Sequence, residues 1–212
     1  MSQNISTAVM QRRVEAHDSL DDFPTPPWAT RALCEQFVGR NQYKDLGSVW
    51  EPCCNRGYMA RPLGEYFSQV YATDIHDYGW SGQGAIEDFL WPSTVPPYPV
   101  NWIVANPPFR LAEQFIERAS QVATDGFAMI VRTAFLEGVG RHGRLFTKNP
   151  PSIIAQFSER VVMHKGKVTA TGSTATAYCW LVWVDGEEET QFRWIRPCRK
   201  ELERPGDYEE AV

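Results

Sequence analysis

Ser48-Val49-Trp50-Glu51-Pro52-Cys53-Cys54-Asn55-Arg56-Gly57 and, after a helix-like stretch, Gln69-Val70-Tyr71-Ala72-Thr73-Asp74 are the segments on which the fold turns. Each opens as a short apolar, strand-forming run and contains an acid where that run ends, Glu51 in one and Asp74 in the other. Residues 58–67 between them read as a helix broken or delayed by Pro62, because an internal proline removes a backbone donor and clashes with the preceding turn. Strand, tight turn, helix and strand make one βα unit, and the pattern recurs on both sides. Residues 28–38 read as a proline-opened helix, with Ala29, Leu33 and Phe37 at helical spacing and Gly39 at its end. Beyond the proline-rich connection at 91–99, residues 101–105 form a buried-type strand. Residues 111–122 place Leu111, Phe115, Ile116 and Ala119 on one helical face, and 127–131 make another strand. Further strands are expected over 153–163 and 174–184. Alternation of this length predicts an α/β fold, a twisted, mostly parallel sheet with helices on both faces and ligands at the carboxyl ends of its strands.

The length of 212 residues suits one core. We read residues 1–22 as an N-terminal arm, 23–198 as a single catalytic domain and 199–212 as a polar, frayed tail. Hydrophobic residues at 43% and charged residues at 22% exclude a wholly disordered or fibrous chain. The start lacks the apolar core of a signal peptide, and no stretch approaches the roughly 18 apolar residues of a membrane span, so a cytoplasmic protein without a membrane partner is expected. Cys34, Cys53, Cys54, Cys179 and Cys198 are odd in number and show no CxxC spacing, and they read as reduced thiols. His17, His76, His142 and His164 are scattered, so no metal site is signalled. The net charge of -5 is the reverse of a simple nucleic-acid footprint. Yet residues 126–172 hold seven basic side chains (Arg132, Arg141, Arg144, Lys148, Arg160, Lys165, Lys167) against Glu137 and Glu159. This cluster is either one basic face or a solvated stretch that is basic only along the chain.

Four features fall at the expected strand ends. The turn from Glu51 to Gly57 suits a nucleotide-like ligand, although a plain β-to-α turn has the same appearance. Asp74 lies 17 residues after Gly57, where an acid accepts from both hydroxyls of a ribose or serves simply as a turn-former. Asp88 in Glu87-Asp88-Phe89 is placed to accept from an exocyclic amine, with Phe89 to stack on a purine. Asn106-Pro107-Pro108-Phe109 is the most specific: the Asn106 side-chain oxygen and the Pro107 carbonyl suit a planar amino group, Phe109 offers a stacking face, and the prolines pre-organise the acceptors. A rigid turn remains the alternative. Trp50, Trp102, Trp180 and Trp183 fall in expected strands and read as core, which leaves Trp28 as the tryptophan to watch for base stacking. His76 lies close enough to Asp74 to touch the same ligand. Residues 169–173, beside Lys165 and Lys167, form a strand connection or a lid against nucleic acid.

The succession FPTPPW, EPCCNRG, ATD, EDF and NPPF resembles the S-adenosylmethionine-dependent amino-methyltransferases, in particular the small phage- or prophage-type DNA adenine-N6 methyltransferases, over about residues 23 to 110. The resemblance implies a Rossmann-like class I methyltransferase that uses S-adenosyl-L-methionine and takes DNA as partner, with the adenine flipped from a duplex or single strand. It assigns Glu51, Pro52, Cys53, Gly57, Asp74, Ile75, Asp88, Phe89 and Asn106 to the cofactor, with Thr25 and Pro26 bordering its methionine end. Asn106, Pro107, Pro108 and Phe109 become the catalytic group that holds the target base. Arg132, Arg141, Arg144 and Lys148 become phosphate contacts that position rather than specify. The same Asn-Pro-Pro-aromatic device also serves enzymes that methylate an RNA base or a glutamine amide. A methyltransferase-like binding module without cofactor affinity is the reading from a different class.

Overall fold

The computed structural model of the chain describes residues 20–38 and 46–209. The predicted arm lies outside the described residues up to position 19, as do His17, Gly39 and positions 210–212 of the tail.

The elements in chain order are α1 (Pro27–Leu33), β1 (Ser48–Glu51), α2 (Ala60–Leu63), β2 (Gln69–Asp74), β3 (Ala85–Ile86), β4 (Trp102–Ala105), α3 (Ala112–Val122), β5 (Gly126–Arg132), α4 (Val139–Arg141), β6 (Ile153–Phe157), β7 (Tyr178–Val184), β8 (Gln191–Ile195) and α5 (Arg199–Leu202). Pro26 caps α1 in an extended conformation and Pro27 fills its first position, where a missing N–H costs nothing. The helix predicted to Val38 changes into a π-helical turn at Cys34–Val38. The helix predicted over 58–67 contracts to the four residues of α2, because Pro62 is tolerated only in a first turn and Gly64 follows as the cap.

The sheet has the order β3-β2-β1-β4-β5-β7-β6-β8. Strands β1 to β5 pair in parallel, β7 runs against both β5 and β6, and β8 is parallel to β6. From β1 the chain works outward to β3, then returns to the other side of β1 as β4. That reversal opens a crevice at the carboxyl ends of β1 and β4, where open α/β sheets bind ligands.

Every residue of β1 and β4 is buried, as expected for strands covered on both faces. Val49, Trp102, Val104, Ala128, Ile130, Trp180 and Val182 face α1 and α2. Trp50, Ile103, Ala105, Phe127, Met129, Leu181 and Trp183 face α3 and the segment carrying Phe135 and Leu145. The expected α/β sheet with helices on both faces is the architecture present. The four strand tryptophans are core, but so is Trp28, which is 1% exposed and meets Phe157 edge-on at 5.5 Å. Its ring is committed to packing and cannot stack on a base.

Three expectations change in the second half. β6 and β7 are shorter than the segments 153–163 and 174–184, because residues 158–177 leave the sheet as a long connection pinned by a bridge between His164 and Lys167. β8 has no counterpart among the expected strands. The segment from Arg199, expected to fray, is docked: α5 packs beside α1, and Asp207 is buried against Arg31. No helix among the described residues is long and apolar enough to cross a membrane.

Candidate active site

β1 and β2 deliver Glu51 and Asp74 side by side to the crevice, and the turn between β1 and α2 is shaped around them. Asn55 takes a left-handed backbone conformation (φ 49°), which its short polar side chain tolerates. Its N–H donates to Asp74 Oδ2 at 3.0 Å, while the N–H of His76 donates to Asp74 Oδ1 at 3.1 Å. Burial raises the Asp74 carboxyl above its ordinary range, and these backbone donors work against that rise. Gly57 follows at φ 76°, and a Cβ there would lie 2.4 Å from the Trp80 ring. Only glycine satisfies both the handedness and the space.

Glu51 is 2% exposed, and its Oε2 has no hydrogen-bond partner among the described residues. Burial, with the Asp74 carboxylate near, holds its carboxyl well above the usual glutamate range. The hydroxyl of Thr25, also buried, is equally unpartnered. Both residues line one cleft at the strand ends, with Pro52, Cys53, Asp74, Ile75, Tyr78, Asp88, Phe89, Asn106 and Pro108 in the same wall. Buried polar atoms are nearly always satisfied, so two orphans in one cleft mark a place built for a polar ligand.

Most predicted cofactor residues therefore meet. Pro26 and Gly57 are outside the wall: Pro26 is the cap of α1, and Gly57 is turned against Trp80. Asp88 is exposed, with Oδ1 accepting from the N–H of Leu90. Phe89 sits in the core against Trp50 and Phe115, so it closes the floor rather than presenting a free face. His76 is exposed outside the wall and touches Tyr78 edge-on.

At the end of β4, Asn106 Nδ2 donates to the Phe23 carbonyl at 2.7 Å. Only the amide nitrogen can make that bond, so the orientation is decided and Oδ1 is left as an acceptor. Phe23 belongs to a strap of residues 20–25 that crosses between three loops. Asp21 Oδ2 accepts from the Phe109 N–H at 2.6 Å, Asp22 accepts from Asn55 and Arg56, and the Asp22 carbonyl accepts from the Gly166 N–H. On the far side of this seam lies a second pocket bounded by Asn106, Pro107, Phe109, Ile130, Arg132, Met163 and Tyr178. Asp21, Phe23 and Asn106 belong to both walls. The predicted catalytic group thus splits: Pro108 faces the first pocket, Pro107 and Phe109 the second, and Asn106 joins them.

The basic segment does not form one face. Arg132 ends β5 with its guanidinium 4.5 Å from the Phe109 ring centre. Arg141 is engaged internally, stacked on Phe135 and bonded to the carbonyls of Phe135 and Glu137 and to Glu113. Arg144 pairs with the same Glu113, whose carboxyl is held low chiefly by that contact. Lys148 borders a hollow with Thr124 and Gly126 at the amino end of β5, the opposite end of the sheet. Arg160, Lys165 and Lys167, in the connection after β6, stand at the site end instead, where the neighbouring Gly166 is bonded to the strap.

Asp21, Asp22, Tyr78, Met163 and Tyr178 join the site from outside the four sequence features, and Asn55, inside the first of them, joins it without an assigned role. Asn55 alone has a local signal, an asparagine two residues before a glycine in a strand-to-helix turn.

No protein-family model and no curated protein sequence matches the chain. Solved structures do resemble it. A type I restriction-modification methyltransferase subunit from Streptococcus thermophilus superimposes with a TM-score of 0.55 at 11% identity, over 88% of this chain and 50% of that one. A candidate RNA methyltransferase from Pyrococcus horikoshii gives 0.57 at 12% identity, over 78% and 88%. A 23S rRNA methyltransferase gives 0.52 at 14% identity, over 78% and 70%. The chain spans half the length of the restriction-modification subunit. The fold is that of the Rossmann-like class I methyltransferases.

Proposed function

We propose that the protein is an S-adenosylmethionine-dependent methyltransferase whose acceptor is the N6 amino group of adenine in DNA. The observation that carries this reading is the pair of pockets meeting at Asn106, with its amide nitrogen tied to the Phe23 carbonyl and its oxygen left to accept. Methyl transfer needs two ligands held in line across one polar group, and two pockets that share Asn106 support that reading.

The first pocket fits the cofactor. The unpartnered Glu51 Oε2 suits the ammonium of a methionine moiety, and the Thr25 hydroxyl suits its carboxylate. Asp74, which accepts from the N–H groups of Asn55 and His76 on different oxygens, keeps a lone pair for the ribose hydroxyls. Ile75 and Phe89 supply apolar walls, and Asp88 an acceptor for an exocyclic amine. When bound, S-adenosylmethionine supplies an electrophilic methyl group on a sulfonium sulfur.

In the second pocket, Asn106 Oδ1 and the Pro107 carbonyl accept from the two amino protons of the base. That pairing localises the nitrogen lone pair toward the first pocket and stabilises the positive charge that develops there; the alkylated nitrogen is strongly acidic and releases its surplus proton to water, so no strong general base is required. In a duplex the amino group is paired and stacked. Extrusion costs a few kcal/mol, partly recovered by stacking on Phe109.

The test is to incubate the protein with S-adenosylmethionine and, separately, unmethylated DNA, RNA and a protein extract, then hydrolyse each and identify methylated products by mass spectrometry. N6-methyladenine in DNA alone supports the proposal. Methyl groups in RNA or on glutamine move the acceptor, and no transfer anywhere overturns it. Asn106→Ala is expected to abolish transfer and leave equilibrium binding of S-adenosylmethionine nearly intact.

A further inference from the structure

We infer that Arg132 is a displaceable plug of the second pocket: its guanidinium covers the Phe109 ring in the free protein, and an incoming adenine replaces it there while the guanidinium moves to a phosphate flanking the extruded nucleotide. The inference rests on the adenine reading of that pocket and assigns a role to a side chain that reading leaves unexplained.

Three observations carry it. First, the guanidinium sits 4.5 Å from the Phe109 ring centre, the geometry of a cation over an aromatic face. A planar cation on that face occupies the place a flipped base would take. Second, no carboxylate lies within ion-pair distance of Arg132 among the described residues, whereas Arg56 beside the first pocket and Arg141 and Arg144 beyond β5 each hold one. A guanidinium without an acid beside a pocket is poised for an anion from outside, and its planar fork matches phosphate oxygens. Third, its backbone is fixed, whereas its tip is held by no hydrogen bond or ion pair among the described residues and rests only on the Phe109 ring. Arg132 is paired with Tyr178 across β5 and β7, and the Thr133 N–H donates to the Ala177 carbonyl at 2.9 Å, so the Cα is anchored at the pocket rim. The side chain is then a tethered arm with two alternative places to rest. Phe109 is the complementary half: Asp21 holds its backbone, and the residue is 41% exposed. The interaction given up is weak, because a partly exposed cation–π pair contributes little in water. Stacking of a base on an aromatic ring is the stronger contact, so the exchange runs toward the base once one is offered.

The proposal predicts effects of opposite sign on two ligands. In Arg132→Ala, free deoxyadenosine, which carries no phosphate, binds about two- to fivefold tighter than to wild type because the stacking face is open. The same variant binds unmethylated DNA fragments about tenfold weaker, and the slope of log affinity against log salt falls by about 0.9. Arg132→Lys restores part of the DNA affinity and the salt slope. Deoxyadenosine is measured by equilibrium dialysis and DNA by filter binding across a salt series, with circular dichroism and the melting curve to establish folding. Should Arg132→Ala not fold, Arg132→Gln gives the same comparison. Loss of affinity for both ligands makes Arg132 an ordinary wall of the pocket and overturns the proposal, as does no change in deoxyadenosine binding. Neither readout requires turnover. Opposite signs with no methyl transfer to DNA keep the plug and reject DNA as acceptor, whereas transfer to DNA with parallel losses does the reverse.

Discussion

Glu51 states the conflict at this site most sharply. It ends a fully buried strand, one oxygen has no partner among the described residues, and burial raises its carboxyl well above the ordinary glutamate range. The folded state therefore holds a proton that the unfolded chain releases at lower pH. Stability contributed here is present below the unfolded value and lost as pH rises through the folded one. Glu51→Gln is expected to raise the melting temperature of the free protein near neutral pH and to flatten its decline with pH, while weakening S-adenosylmethionine binding by an order of magnitude or more; melts with and without cofactor read both. If the variant melts lower at every pH, Glu51 is a structural residue and the assignment fails. Gly57→Ala is a cleaner case of geometry. It forces a Cβ into a left-handed position 2.4 Å from the Trp80 ring, and a loss of about 2 kcal/mol is expected by urea denaturation, along with cofactor affinity. Glu51, Asp74 and Asn106 are legible in sequence because each directly ends or follows a short apolar run, and strand ends point at the site in this class of sheet. Met163 and Tyr178 are not, because they reach the site from a long connection and a reversed strand. No local pattern reports such proximity.

Elements behave the same way. β1, β2, β4 and β5 carry continuous or nearly continuous apolar runs, and the sequence segments match all four to within one residue at each end. β8 alternates instead, but in the misleading phase: Phe192 and Trp194 are 54% and 65% exposed, while the inward Arg193 breaks the apolar count. Its place in the sheet comes from pairing with β6, a tertiary fact. The segment after Arg199 hides its docking for a related reason. Its anchor is not apolar but ionic: Arg31 on α1 donates to both oxygens of Asp207, to Glu65 and to the Leu202 carbonyl, with Arg31 and Asp207 side chains nearly sealed from water. Removing Asp207 leaves Arg31 with Glu65 as its remaining carboxylate among the described residues and with buried N–H donors unsatisfied, at a cost of about 2 kcal/mol. Asp207→Ala should show that loss as a lower urea midpoint with unchanged cofactor affinity, since the staple lies on α1 away from the cleft wall. An unchanged midpoint would make the staple incidental.

Taken entire, the protein is acidic, and its proposed substrate is a polyanion. The net charge of -5 opposes DNA, so a productive approach depends on where the cations stand. The fold sorts them. Lys148 is carried to the amino end of the sheet, and Arg141 and Arg144 are drawn onto Glu113. Arg160, Lys165 and Lys167 ride the connection after β6 to the carboxyl end, where Met163 from the same connection touches Asn106 and Gly166 is bonded to the strap. Three cations of this stretch are thus carried to the carboxyl end of the sheet and one to the amino end, a division that the even charge run does not show. On the proposed function, reversing Arg160 and Lys167 together to Glu weakens DNA binding steeply at low salt and reduces the salt slope by about 0.9 for each phosphate no longer neutralised. Lys148→Glu, an equal change per residue in net charge at the far end, leaves the slope as it was. Filter binding across a salt series compares them directly. A loss from Lys148→Glu half as large as that of the double variant would mean that only the total charge matters, and the cations after β6 would then have no part in docking.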